Sequence, residues 1–246
     1  MKKDEREKLE VVRDELDELL ENDEEDTAER VKPQRSMFRM RFSEVQKMLD
    51  AGLADAFQLG DEIWNENLLA AEPICWIVIG RDEESVTLWA VQGLARRPFD
   101  EKSEKYPLGH ALWRDCSLRG WMNGELLAGF APEDTAAIAT VKKITVAPDR
   151  DGGGLIETED KLWLLSATEA GFAPDRDWSL EEGTAYPYFI RGSEARQIGE
   201  WWFLRSANRA GASNAWFVTT SGTASYYYYY ATDANRPAPA CVIRKS

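Results

Sequence analysis

The stretch WWFLRSANRAGASNAWFVTTSGTASYYYYYATDANRPAPACVIR, residues 201–244, decides how the chain is read. It interleaves two populations. Trp201, Trp202, Leu204, Trp216, Val218, Val242 and Ile243 are bulky and apolar, and are predicted to form a buried frame. Between them lie small and polar residues that run into five consecutive tyrosines at 226–230, predicted to be displayed.

The displayed part has a skewed composition. Lys, Glu, Gln and Met make up 47 of the 246 residues, so a 33-residue window should hold about six of them. Residues 203–235 hold none. An Asn codon of the AAC type, altered only at its two adenines, yields Tyr, Ser, Thr, Asp, Ala, Gly, Arg or Phe, but never Lys, Glu, Gln, Met or Trp. Strands and turns also disfavour Lys and Glu, yet that preference does not readily produce five tyrosines in a row.

Trp202-Phe203-Leu204-Arg205-Ser206, Ala215-Trp216-Phe217-Val218, Ser221-Gly222 and Arg236-Pro237-Ala238 together resemble the C-terminal variable region of target proteins of diversity-generating retroelements. Upstream, residues 117–123 and 158–166 resemble a bacterial domain of unknown function that often forms the body of such targets. The likeness covers roughly residues 37–246; Ala240-Cys241-Val242-Ile243 departs slightly from the plainer apolar strand usual after Arg-Pro-Ala. It implies an α+β, C-type-lectin-like domain related to the formylglycine-generating enzymes, with a variable region at about 201–244. It also implies a ligand-binding role without catalysis. On that reading the ligand-contacting positions are Asn208, Arg209, Ala210, Ala212, Ser213, Asn214, Phe217, Thr219, Thr223, Ser225, Tyr226, Tyr227, Tyr228, Tyr229, Tyr230, Thr232, Asp233 and Asn235. Their partner would be a protein or another macromolecule. A fixed, non-diversified interaction domain of the same fold is the alternative.

Charge and cysteine usage narrow the class further. A net charge of -14 argues against nucleic acid, whose binding draws on Lys and Arg, and against anionic lipid. Cys75, Cys116 and Cys241 sit in no paired spacing, which favours buried thiols over disulfides or zinc. No run approaches the roughly 18 apolar residues of a spanning helix and the N-terminus is charged, so the chain is expected to be soluble and cytoplasmic at synthesis. Residues 1–36 read as an acidic tail. Leu9, Val12, Leu16 and Leu19 share one helix face, which suits either a short self-associating coiled coil through residues 1–30 or a solvated acidic leader.

Within residues 37–246 the pattern is α+β, with helices early and strands gathered late. Ser43-Glu44-Val45-Gln46 fits a capping box and Gly52 a helix stop. Residues 74–79 and 85–91 read as strands, 112–130 as helical, Pro132 as a helix start, and 141–146 and 161–165 as strands again. Chemical motifs are sparse. His110 is the single histidine and no G-x-S-x-G accompanies it, which argues against a triad. Asp149-Arg150-Asp151-Gly152-Gly153-Gly154 starts like a calcium loop but lacks the distal Glu, so it reads as a surface turn, and no metal or cofactor is expected. A formylglycine-type oxidase would need exposed reactive cysteines, whereas Cys75 and Cys241 fall in apolar strands.

Overall fold

The apolar runs around residues 74–79 and 85–91 become the two central strands of a sheet that gathers both ends of the domain. The computed structural model describes residues 36–173, 180–226 and 229–246. The predicted acidic tail, and the self-association assigned to it, fall outside the described residues apart from Ser36. In chain order the strands are β1 (Met37–Arg39), β2 (Glu62–Asn65), β3 (Ile74–Arg81), β4 (Ser85–Gln92), β5 (Arg97–Pro98), β6 (Val141–Val146), β7 (Leu155–Asp160), β8 (Trp163–Leu164), β9 (Trp202–Ala207), β10 (Ala215–Val218), β11 (Ala224–Ser225), β12 (Ala234–Asn235) and β13 (Pro239–Arg244).

The main sheet has the order β1-β2-β3-β4-β13-β8. Its β1–β2 pair is parallel and the other neighbours are antiparallel. Across β3 and β4, Trp76 pairs with Ala90 and Ile77 with Trp89. Because successive side chains alternate between faces, Trp76 and Trp89 point to opposite sides. Trp76 meets Phe42 edge-on at 5.2 Å, while Trp89 meets Trp202 at 4.9 Å and Phe189 at 5.2 Å. Strands β3 and β4 are therefore buried on both faces, which explains why β3 reads as a continuous apolar run.

Helix α1 (Phe42–Asp50) buries Phe42, Val45 and Leu49, one face of a 3.6-residue period. Its start differs from the expected box. The Arg41 N–H donates to the Glu44 carboxylate at 2.7 Å, the Ser43 N–H donates to Asp134 at 2.9 Å, and Gln46 reaches the Arg244 carbonyl at 2.8 Å. The helix begins two residues earlier than read because Phe42 has to enter the core. Gly52, at φ +75°, supplies the expected stop.

Residues 112–130 resolve into a 3-10 turn at Trp113–Asp115, helix α2 (Ser117–Trp121) and a π turn at Met122–Leu126. Pro132 opens α3 (Pro132–Ala137), with Glu133 and Asp134 in its first turn. Strand β6 pairs along its length with β7, which the sequence reading did not foresee.

The smaller sheet, ordered β11-β10-β9, stands against the Trp89 face of the main one. Of the predicted frame, Trp202, Leu204, Trp216, Val218, Val242 and Ile243 are buried. Trp201 is not: it precedes β9 and remains 39% exposed. The architecture is α+β, rich in sheet and short of helix. Among the described residues no helix is long and apolar enough to cross a membrane.

Candidate binding surface

Strand β9 is buried at every position and carries a charge cluster into the interior. The Arg205 guanidinium pairs with Glu169 and donates to the carbonyls of Leu164 at 2.9 Å, Ile144 at 3.2 Å and Glu182 at 2.7 Å. Glu169 also receives the Lys143 ammonium at 2.9 Å. Burial opposes the Glu169 charge, but Arg205 and Lys143 outweigh it and hold its carboxyl below the usual range. The Glu182 carboxylate accepts the Val146 N–H at 2.9 Å and the Ser206 hydroxyl at 2.5 Å, while burial pushes its titration up. These bonds fasten β9 to β6, β8 and the 180–184 turn, making a rigid root for the loops beyond it.

The loops above that root are fixed mainly through their backbones. The Ala111 N–H donates to the Ala212 carbonyl at 2.6 Å, Ala231 N–H to Ser213 at 2.7 Å, Asp149 N–H to Arg209 at 3.0 Å, and Asp100 N–H to Ala231 at 2.9 Å. Loops 208–214 and 229–235 are thereby brought side by side. Asn214 reinforces the junction by donating to the Tyr229 carbonyl at 3.0 Å.

Not every expected contact residue faces outward. Asn208, Ala212, Phe217 and Asn235 are buried and present no side chain for a ligand, which corrects the reading of these four as displayed. Asn208 turns inward because its side-chain oxygen accepts the Ala210 and Gly211 N–H groups at 3.2 and 3.1 Å, shaping the loop from within. Asn235 lies in β12, opposite Arg97 of β5. Arg209, Ser213, Asn214, Thr219, Ser225, Tyr226, Tyr229, Thr232 and Asp233 are half-buried, whereas Ala210, Thr223 and Tyr230 are exposed. Tyr227 and Tyr228 fall outside the described residues.

Among the described tyrosines of the run, Tyr230 is exposed and Tyr226 and Tyr229 are half-buried. Tyr226 leans on Trp216 at 4.6 Å. Tyr229 packs against Phe217 at 4.9 Å and Trp201 at 5.5 Å, and burial raises its phenol. Thr219, Thr223 and Ser225 belong to the β10–β11 hairpin. Its tip is held by Arg196 donating to Gly222 at 2.9 Å and Gln197 to Ser221 at 3.3 Å. The expected set thus divides between paired loops and a hairpin with its own support.

The surface also includes supports that the sequence reading left out. His110 lies under Tyr106, with ring centroids 4.3 Å apart and planes 13° apart, and its Nε2 is 2.8 Å from Asp151. The His110 backbone N–H donates to the Asp100 carboxylate at 2.8 Å. Beside it Gly109, at φ +74°, approaches Ala231 so closely that a Cβ would come within 2.9 Å. The only sequence signal for this support was a lone histidine next to a glycine.

Residues 84–244 match a family described as Domain of unknown function (DUF6273). The chain belongs to that family. The matched segment runs from the start of β4 to the end of β13, so it contains both candidate loops, the hairpin and the Arg205 cluster. No curated protein and no solved structure matches the chain. Within the family segment, burial pushes the Cys116 and Cys241 thiols up, as it does for thiols that pack as small hydrophobes. Among the described residues no three His, Cys, Asp or Glu side chains gather as a metal site.

Proposed function

We propose that the chain is a ligand-binding protein whose loops 208–214 and 229–235 form a recognition surface diversified by adenine-directed mutagenesis, on a C-type-lectin-like body. The observation that carries this reading is how the loops are held. Four main-chain hydrogen bonds fix them, involving Ala111, Asp149, Asp100 and Ala231 as donors, and a main-chain bond survives a change of side chain. Positions between those anchors whose side chains hold no loop backbone, such as Ala210, Ser213 and Thr232, can vary in chemistry while the loop path is kept, whereas Asn214 and Asp233 bond loop backbone through their side chains. Tyr, Ser, Gly and Asn there match the composition of adaptable paratopes.

The body supports the same reading. Strands β1 and β13, from opposite ends of the domain, share one sheet, and a second small sheet with long connections stands on it. The ligand is a protein or another macromolecule, bound without a chemical step.

The test is genetic. Sequencing the locus from many cells should reveal a nearby template repeat, with differences confined to adenines and concentrated in codons for residues 203–235. A locus without such a repeat, or differences spread over all four bases, would leave a fixed interaction domain in place of a diversified one.

A further inference from the structure

A cleft beside the β5–β12 pair combines, among the described residues, an unpaired cation, two unpaired carboxylates and a bare stretch of helix. It holds about 330 Å³, and its walls include Arg97, Glu101, Gly120, Trp121, Gly124 and Glu125. The π turn Met122–Leu126 forms one side; such turns are uncommon and recur at functional sites. A Cβ added at Gly120 or Gly124 would meet nothing within 4 Å, so the backbone here faces open space.

The Arg97 guanidinium sits 4.1 Å over the Trp121 ring. Stacking of this kind uses the flat face of the guanidinium and leaves its edge donors available. Among the described residues the side chains of Arg97, Glu101 and Glu125 form no ion pair. The Trp121 indole N–H is buried without an acceptor.

We infer that this cleft binds a small zwitterion of the α-amino-acid class, with Arg97 holding the carboxylate and Glu101 and Glu125 the ammonium. A plain anion would face two carboxylates, and a plain cation would face Arg97. An uncharged ligand would desolvate these groups without pairing them, a cost that grows with burial. A volume of about 330 Å³ lies at the lower end of ligand sites, which selects a compact molecule. The site borders the proposed recognition surface at the β5–β12 pair, where Arg97 lies opposite Asn235 and Pro98, another wall of the cleft, opposite Ala234.

The test titrates the full chain with each of the twenty free L-amino acids by calorimetry. The best binder is then repeated as its N-acetyl and its carboxamide derivative. Saturable binding is expected for at least one free amino acid, weakened about tenfold or more by either block, because each block removes a charge-assisted hydrogen bond. Arg97→Gln should weaken it comparably. Gly124→Leu should abolish binding while melting no lower than the wild type, since the added side chain enters open space and replaces a helical glycine. Absence of saturable binding by any free amino acid, equal binding of the blocked forms, or unchanged binding by Gly124→Leu would overturn the assignment.

Discussion

Trp201 and Phe217 lie ring over ring, with 4.9 Å between centroids and 19° between planes. Phe217 is buried and Trp201 is 39% exposed, so this stack marks the edge between the core and the proposed recognition surface. Tyr229 leans on both rings, whereas its neighbour Tyr230 is 42% exposed.

The stack separates residues that composition alone treats as equivalent. Trp202→Ala, which removes a fully buried indole, should cost about 3–5 kcal/mol, but Trp201→Ala only about 0.5–1.5 kcal/mol. Urea denaturation measures both. Equal losses would place Trp201 in the core after all.

Tyr229 and Tyr230 should divide in the same way. Tyr230→Ser is expected to stay within about 0.5 kcal/mol of wild type, as exposed substitutions do. Tyr229→Ser should cost about 1–2 kcal/mol through its lost aromatic packing. A stability loss at Tyr230 that matched or exceeded the loss at Tyr229 would contradict the split.

The Arg205 cluster makes a prediction about pH. The Glu169 carboxyl titrates below its ordinary range, so the stability it contributes is present above the unfolded value near 4.3 and is lost as pH falls through the lower folded value. Glu182 is displaced the other way. Its folded form holds the proton more tightly, so stability falls as pH rises from about 4.3 towards its folded value. Glu182→Gln keeps an oxygen for the Val146 N–H and sets its amide N–H against the Ser206 hydroxyl, which can turn to accept it, and should remove that alkaline-side loss. Glu169→Met, which leaves Arg205 buried without its partner, should cost about 3–5 kcal/mol. Melting curves from pH 3 to 8 test both. An unchanged slope in Glu182→Gln would contradict the assignment.

Asn208 should behave as structure and Ala210 as surface, although both sit in one loop. Asn208→Ala removes the acceptor for two loop N–H groups and is expected to cost about 1–3 kcal/mol while speeding hydrogen exchange at Ala210 and Gly211. Ala210→Ser should change neither. Identical exchange in the two variants would rule out the inward role.

These contrasts also show where sequence was sufficient. β3 and β4 were legible because a strand buried on both faces needs an unbroken apolar run, and residues 74–79 supply one. Strand β7 was missed for the opposite reason. Its inward residues are Thr158 and Asp160, which join each other at 2.7 Å, and Asp160 also accepts the Trp113 indole N–H at 3.1 Å; its outward ones include Glu157 and Glu159. A strand polar on both faces carries no alternation to detect. Of the candidate surface, the two loops were legible by composition. Asn208 and Asn235 were misplaced because a buried Asn that serves a turn or a ladder looks, in sequence, like any surface Asn. The His110–Asp151–Tyr106 support joins segments some forty residues apart, and no local pattern announces such a meeting.

The most direct test of a side-chain-tolerant recognition surface is a display library randomised together at Arg209, Ala210, Ser213, Tyr230 and Thr232, with Asp233 kept because its carboxylate accepts the Tyr230 N–H at 2.7 Å. The fraction of members that resist proteolysis like wild type is the quantity to measure. Because main-chain bonds hold the loops at these positions, most members should remain folded, and selection against unrelated proteins should yield binders that differ only at these five positions. A library in which most members unfold, or whose binders owe their affinity to changes elsewhere, would contradict the account.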